Sequence, residues 1–222
     1  MNIFLINDKA LSKGDKVQLG ISYFLQVTLI TAIFYFIYHQ DWVNTFLTSG
    51  IFVLTSLPAI FRKSYKVRLP VELDFIVILF IYAALFLGEV HGYYTKFWWW
   101  DILLHASSGV LFGIAGFLLV YILNQEKKVM LHLKPFFIGL FSFAFANALG
   151  VLWEIFEFAM DSFFSLNMQK SGLVDTMWDL IVNVLGSLFI AVFGYFYSKS
   201  NASFVKNLVN HVVKKKIIFW KP

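Results

Sequence analysis

The chain has no cysteine, which excludes disulfides, thiolate metal ligands and a cysteine nucleophile. Charge is scarce as well. Asp, Glu, Lys and Arg make up 14% of the 222 residues, against about a quarter in a soluble domain. So few charges cannot cover a water-facing surface. No low-complexity tract, internal repeat or soluble domain of ordinary size is present. Residues 1–20 mix Asp8, Lys9, Lys13, Asp15 and Lys16 with short apolar pieces. No small-residue cleavage site follows the first long apolar run, so a cleavable signal peptide is not expected.

What fills the chain is apolar. Hydrophobic residues account for 59% of it, with 27 Phe, 10 Tyr and 7 Trp, and the mean hydropathy is +0.74. Aromatics serve both lipid contact and the interfacial belts of membrane proteins. These features predict an all-α, polytopic transmembrane helical bundle. A hydrocarbon core of about 30 Å needs about 17–25 apolar residues per crossing. About six spans satisfy this, near 20–38, 43–61, 71–90, 101–123, 135–160 and 176–197. Segment 43–61 is the most polar, with Thr45, Thr48, Ser49, Gly50, Thr55, Ser56 and Pro58. It reads as a helix inside the bundle, where small residues allow close backbone approach. The expected organisation is one transmembrane domain over 1–198, entered by a short cytoplasmic segment and followed by a basic tail over 199–222. Within that tail, residues 203–219 read as a basic amphipathic helix on the cytoplasmic leaflet or as a disordered basic tail.

Loop charges set the orientation. Arg62, Lys63, Lys66 and Arg68 separate the second and third spans, and Lys127, Lys128 and Lys134 separate the fourth and fifth. Six lysines from Lys199 to Lys221 follow the sixth. The alternate loops hold Asp41, then Glu89 and Lys96, then Lys170 as their base. Both termini are therefore expected in the cytoplasm. The net charge of +5 follows from these loops and does not imply nucleic acid. Trp98, Trp99 and Trp100 precede the fourth span, where an interfacial anchor explains them better than substrate stacking.

The acids that remain are patterned. Asp101 and His105 lie one helical turn apart. Glu154, Glu157 and Asp161 share one stripe of the fifth span, and Asp175, Asp179 and Asn183 share one stripe of the sixth. With the orientation above, all of them reach the extracytoplasmic end of their spans. Glu89 and His91 end the third span at the same level. Ionised groups in hydrocarbon are costly and by default mark a functional site.

So many acids require protons, a bound cation or basic partners. Candidate bases are His91, Lys96, His105 and Lys170. Oxygen ligands with an imidazole suit a divalent cation, drawn from magnesium, manganese, zinc and calcium. The preferred ligand set is His105, Glu154, Glu157, Asp175 and Asp179. Asp101 and Asp161 are candidates for proton handling near the rim, while Asn183 and Ser108 would orient the ligands. Ser107 and Ser108 fit helix packing better than a nucleophile, and Gly109, Gly113 and Gly116 form a packing stripe. The bland alternative for the whole cluster is a protonated or hydrogen-bonded packing network. At the inner end, Glu72 and Asp74 read as a salt-bridged or solvated helix start, and His132 and His211 as solvated surface residues.

Known metal signatures are absent: there is no His-Glu-x-x-His and no Glu-x-x-His of the di-iron bundles. The Arg and His pattern of membrane lipid phosphatases and the Asp-rich motif of CDP-alcohol phosphotransferases are missing too. Three blocks occur in order instead. They are Trp100–Gly109, then Trp153–Phe158 with Asp161, then Asp175–Asp179 with Asn183 and Gly186. Over about residues 70–198 the chain resembles the YjdF-like family of bacterial polytopic inner-membrane proteins. The resemblance implies a multi-pass protein of the bacterial cytoplasmic membrane and no defined activity.

Three functions fit. One is a metal-dependent hydrolase or transferase acting on a lipid or lipid-linked substrate at the outer leaflet. Another is a cation or proton-coupled transporter, for which no matched inner half-site or inverted repeat is evident. The third is a non-catalytic membrane binding or structural module. A groove beside an open metal site, a polar route inward, and a filled core would distinguish them in that order.

Overall fold

The structure, a computed structural model, describes residues 13–65, 71–125, 132–165 and 167–199. The basic loop residues Lys66, Arg68, Lys127 and Lys128, the first twelve residues, and the expected amphipathic tail beyond Lys199 lie outside the described residues. Every regular element described is helical: α1 (Lys13–Tyr38), α2 (Trp42–Tyr65), α3 (Val71–Ile81), the π-helix π1 (Tyr82–Val90), the short α4 (Tyr93–Lys96), α5 (Trp100–Gln125), α6 (Pro135–Phe164) and α7 (Leu173–Lys199). The all-α expectation holds. Among the described residues, four helices are long and apolar enough to cross a membrane: Lys13–Tyr38, Trp100–Tyr121, Pro135–Phe163 and Leu173–Lys199.

The chain divides into two compact units, with the boundary between Lys96 and Phe97. In the first, α1 packs on α2 and α3, and α2 packs on π1. Leu29, Ile51 and Phe86 form its buried centre, with Ala32, Phe52, Tyr82 and Leu85 packed around them. The hydroxyls that make α2 polar are largely answered within the helix. Thr45 Oγ1 donates to Asp41 O at 2.7 Å, Ser49 Oγ to Thr45 O at 2.7 Å and Ser56 Oγ to Phe52 O at 2.7 Å. Such bonds let Ser and Thr sit in an apolar environment without an unmet donor. Asp41 accepts from the Asn44 backbone amide and side chain. These bonds cap α2 and hold the Asp41 carboxyl below its ordinary value. The His91 ring meets Phe86 O at 3.1 Å, and Lys96 Nζ donates to His91 O at 2.7 Å. Both expected bases are thus engaged within the first unit.

In the second unit α5, α6 and α7 each pack against the other two. Its polarity is the reverse of a soluble bundle. Phe158, Leu185, Phe189 and Phe196 face outward, while Ser108, Ser142, Glu154, Asn183 and Ser187 are buried. A lipid-facing bundle has this arrangement, because helix contacts there rely on small and hydrogen-bonding residues instead of apolar bulk. Gly109 and Gly186 bring α5 and α7 into backbone contact: a Cβ on Gly109 would overlap the Asn183 carbonyl oxygen, and one on Gly186 the Ala106 carbonyl oxygen. On α6, a Cβ at Gly150 would collide with the Asn183 side-chain amide. These absent side chains draw the three polar stripes together.

Candidate functional site

The site lies where α5 begins, α6 ends and α7 begins. The i, i+4 repeat on α5 points Asp101 and His105 the same way, and Nε2 of His105 stands 3.4 Å from Asp101 Oδ1. The α7 stripe contributes Asp179, whose Oδ2 is 4.0 Å from the same nitrogen. Glu154 approaches from α6 on the other side of the ring, with Oε1 3.6 Å from Nδ1. His105 is therefore the hub of the cluster, faced by a carboxylate from each helix. One ligand atom each from Asp101, His105 and Asp179 falls within a 4.8 Å group, close enough to share a metal ion.

Two of these acids carry buried oxygens outside any close hydrogen bond. Glu154 is 5% exposed and Asp179 3%. Thr176 faces Glu154 from α7, yet neither Glu154 oxygen nor Asp179 Oδ2 has a hydrogen-bond partner among the described residues. Buried polar atoms are nearly always satisfied, and each exception calls for an explanation such as a missing ion or water. A filled packing network would not leave three carboxylate oxygens open. A cation held by Asp101, His105 and Asp179 would complete Asp179 Oδ2, whereas Glu154, on the Nδ1 side of the ring, lies outside that group.

The remaining expected residues divide into two groups. Glu157 is buried but accepts a 2.8 Å hydrogen bond from Trp153 Nε1 one turn earlier. Asp175 interacts electrostatically with Asp101 and Lys170. Both acids border the cluster without joining the 4.8 Å group. Asp161 does something else. Its two oxygens accept from the backbone amides of Met168 at 2.7 Å and Gln169 at 2.8 Å. With both oxygens occupied, Asp161 serves as the anchor of the α6–α7 turn. Ser165, left-handed at φ 55°, closes α6 by donating its amide to Asp161 O. Replacing Asp161 with Ala should destabilise the protein by about 2 kcal/mol, the scale of hydrogen bonds to a charged group. Proteolysis of the 167–172 segment should accelerate in parallel; unchanged cleavage would remove the anchoring role.

That anchored turn delivers Lys170. Its ammonium lies 2.6 Å from Asp101 Oδ2, giving the cluster a cation that spacing alone marks only as a nearby base. Residues 69 apart in the chain meet here, so no local pattern announces the contact. Deeper in the unit, a polar ladder continues the α7 stripe. Ser108 Oγ donates to His105 O at 2.8 Å and reaches Asn183 Oδ1 at 3.4 Å. Asn183 Nδ2 donates to Asn147 Oδ1 at 3.4 Å, and Asn147 Nδ2 to Ser187 Oγ at 2.9 Å. Ser108 and Asn183 thus brace the helix turn that presents His105. Spacing does not single out Asn147 and Ser187, although Ser187 follows Asn183 by four residues and Asn147 precedes Glu154 by seven, two helical turns.

Residues 21–200 match the family described as Predicted membrane protein (DUF2238). The chain belongs to this family. The match takes in α1 from residue 21 onward, all of α2 and the three blocks of the site, so it reaches into both units of this DUF2238 protein. An uncharacterized protein of Thermotoga maritima is 27% identical over 143 residues, covering 62% of this chain and 69% of the relative. No solved structure matches the chain.

Proposed function

We propose that this DUF2238 protein is a metal-dependent hydrolase or transferase of the bacterial inner membrane, acting at the extracytoplasmic face on a lipid or lipid-linked substrate. The family's YjdF-like kind, about six spans and cytoplasmic termini belong to the same reading. Beyond the four long apolar helices, α2 has 24 residues, and α3 with π1 runs from Val71 to Val90. At about 1.5 Å per residue, either is long enough to cross. The site end of α5–α7 lies opposite the end that carries Lys134 and Lys199, and the positive-inside rule assigns that basic end to the cytoplasm.

The observation that supports this function best is the meeting of Asp101, His105 and Asp179 beside Asp179 Oδ2, a buried oxygen with no hydrogen-bond partner among the described residues. One imidazole with two carboxylates suits manganese or zinc better than calcium or magnesium. Such an ion supplies Lewis acidity, neutralising charge that develops on a phosphoryl or acyl group. The protein's own groups do the rest. Asp101, His105 and Asp179 would hold the ion, and Ser108 and Asn183 brace the turn that presents His105. Glu154, buried with Oε1 3.6 Å from His105 Nδ1, is placed to accept a proton. Asp101 takes part in proton handling only if Lys170 releases Oδ2.

The polar ladder favours transport as a second reading, since Ser187 lies eight residues below Asp179, about 12 Å along the helix. Below it the unit closes: a Cβ on Gly113 would meet Ile190 at 3.0 Å and one on Gly194 would meet Phe117 at 2.7 Å. A blind site open only to the outer face fits this packing. The test is elemental analysis and Mn²⁺ titration of the protein in lipid nanodiscs. Wild type should hold one ion per chain, and His105→Ala should weaken binding at least about tenfold. Glu157→Gln should stay within about threefold of wild type, because Glu157 is satisfied by Trp153. Absence of a stoichiometric ion in wild type would overturn the metal reading.

A further inference from the structure

Lys170 and the cluster divide one carboxylate between them. Asp101 turns Oδ1 toward His105 Nε2, on the side where Asp179 Oδ2 lies without a hydrogen-bond partner. It turns Oδ2 toward Lys170 Nζ. A cation held on the Oδ1 side and the ammonium on the Oδ2 side therefore need not compete. With a cation bound they would form two adjacent positive centres on either side of a single acid. The Lys170 side chain is 27% exposed and that of Asp101 is 15% exposed, so Lys170 is the more accessible partner of the pair. The turn that carries it is fixed by the two amides on Asp161 and by Gln169 Nε2 donating to Thr176 Oγ1 at 2.7 Å.

Resting on the metal reading above, we propose that the substrate bears a phosphate group, held between the bound cation and Lys170. An ester carbonyl presents one weakly charged oxygen and gains little from a second positive centre. A phosphate offers several anionic oxygens at once, and phosphoryl-transfer sites depend on positioning and on charge stabilisation by cations and lysines.

The test uses the full-length protein loaded with Mn²⁺ in nanodiscs and follows paramagnetic broadening of ³¹P signals. One arm adds phosphatidic acid to phosphatidylcholine nanodiscs, and the other adds inorganic phosphate. Protein carrying Asp179→Asn corrects both arms for Mn²⁺ bound by lipid alone. We expect saturable broadening of a phosphate signal that weakens at least tenfold in Lys170→Gln and recovers in Lys170→Arg, with Mn²⁺ stoichiometry unchanged in both. Saturation only with phosphatidic acid assigns a lipid source, and saturation only with inorganic phosphate assigns a soluble one. Bound Mn²⁺ with no ³¹P broadening in either arm, or broadening indifferent to Lys170→Gln, would overturn the phosphate proposal and leave the metal site standing. A wild-type protein that binds no Mn²⁺ would sink the metal reading, and this proposal with it.

Discussion

Asp179→Asn should abolish metal binding while making the metal-free protein more stable. The two halves of this result have one cause. Asp179 is among the most buried charged residues described, and its Oδ2 has no hydrogen-bond donor. An uncompensated carboxylate in a low-dielectric interior costs several kcal/mol unless a proton or a cation relieves it. Asparagine keeps the shape and removes the charge, so the metal-free protein should gain about 1–3 kcal/mol. The same change deletes one of the three groups that converge within 4.8 Å. Losing a supporting partner of a metal ligand typically costs about 10–100-fold in affinity, and a direct ligand should cost at least that. Mn²⁺ titration together with denaturant unfolding in detergent, with and without metal, measures both. A variant that loses stability in the absence of metal would show that Asp179 holds the bundle together as part of a packing network, and would count against the site.

Gly109→Val should be strongly damaging in the second unit, although Gly109 is not among the groups that converge on the site. Its Cβ would overlap the Asn183 carbonyl oxygen and lie within 3.0 Å of the carbonyl carbon. These are backbone atoms of α7, which cannot rotate away as a side chain can. The two helices would have to separate, drawing Asp101 and His105 from Asp179. Overpacking a tight core costs about 1–3 kcal/mol even where side chains can adjust, and rigid backbone should put this variant at or above the top of that range. Metal affinity should fall at the same time. Gly20 provides the contrast. Nothing lies within 4 Å of a Cβ built there, so Gly20→Ala should leave binding unchanged. It should raise stability by about 0.5–1 kcal/mol through helix propensity. A thermal melt of Gly109→Val within a degree or two of wild type would mean that α5 and α7 are not in backbone contact.

Composition and periodicity settled what kind of molecule this is. With 14% charge and 59% hydrophobic residues, the chain can only satisfy its backbone in lipid as helices or a closed barrel, and runs of about 20 apolar residues favour helices. The same periodicity grouped the polar residues, because i, i+3 and i+4 positions share a helix face. His105, Glu154 and Asp179 were therefore nameable from spacing alone. Which acids meet was not. Glu157 and Asp161 lie on the same stripe as Glu154, yet one is satisfied by Trp153 and the other by the turn amides. A stripe fixes direction around an axis but not which group finds a donor. The Lys170–Asp101 pair joins residues 69 apart, and the approach that brings His105 to Asp179 depends on glycines whose partners are backbone atoms of another helix. Local pattern determined the helices and their polar faces. Only the packing of α5, α6 and α7 decided the site, because distances between helices are set by side-chain volumes at their contacts, which no single helix contains.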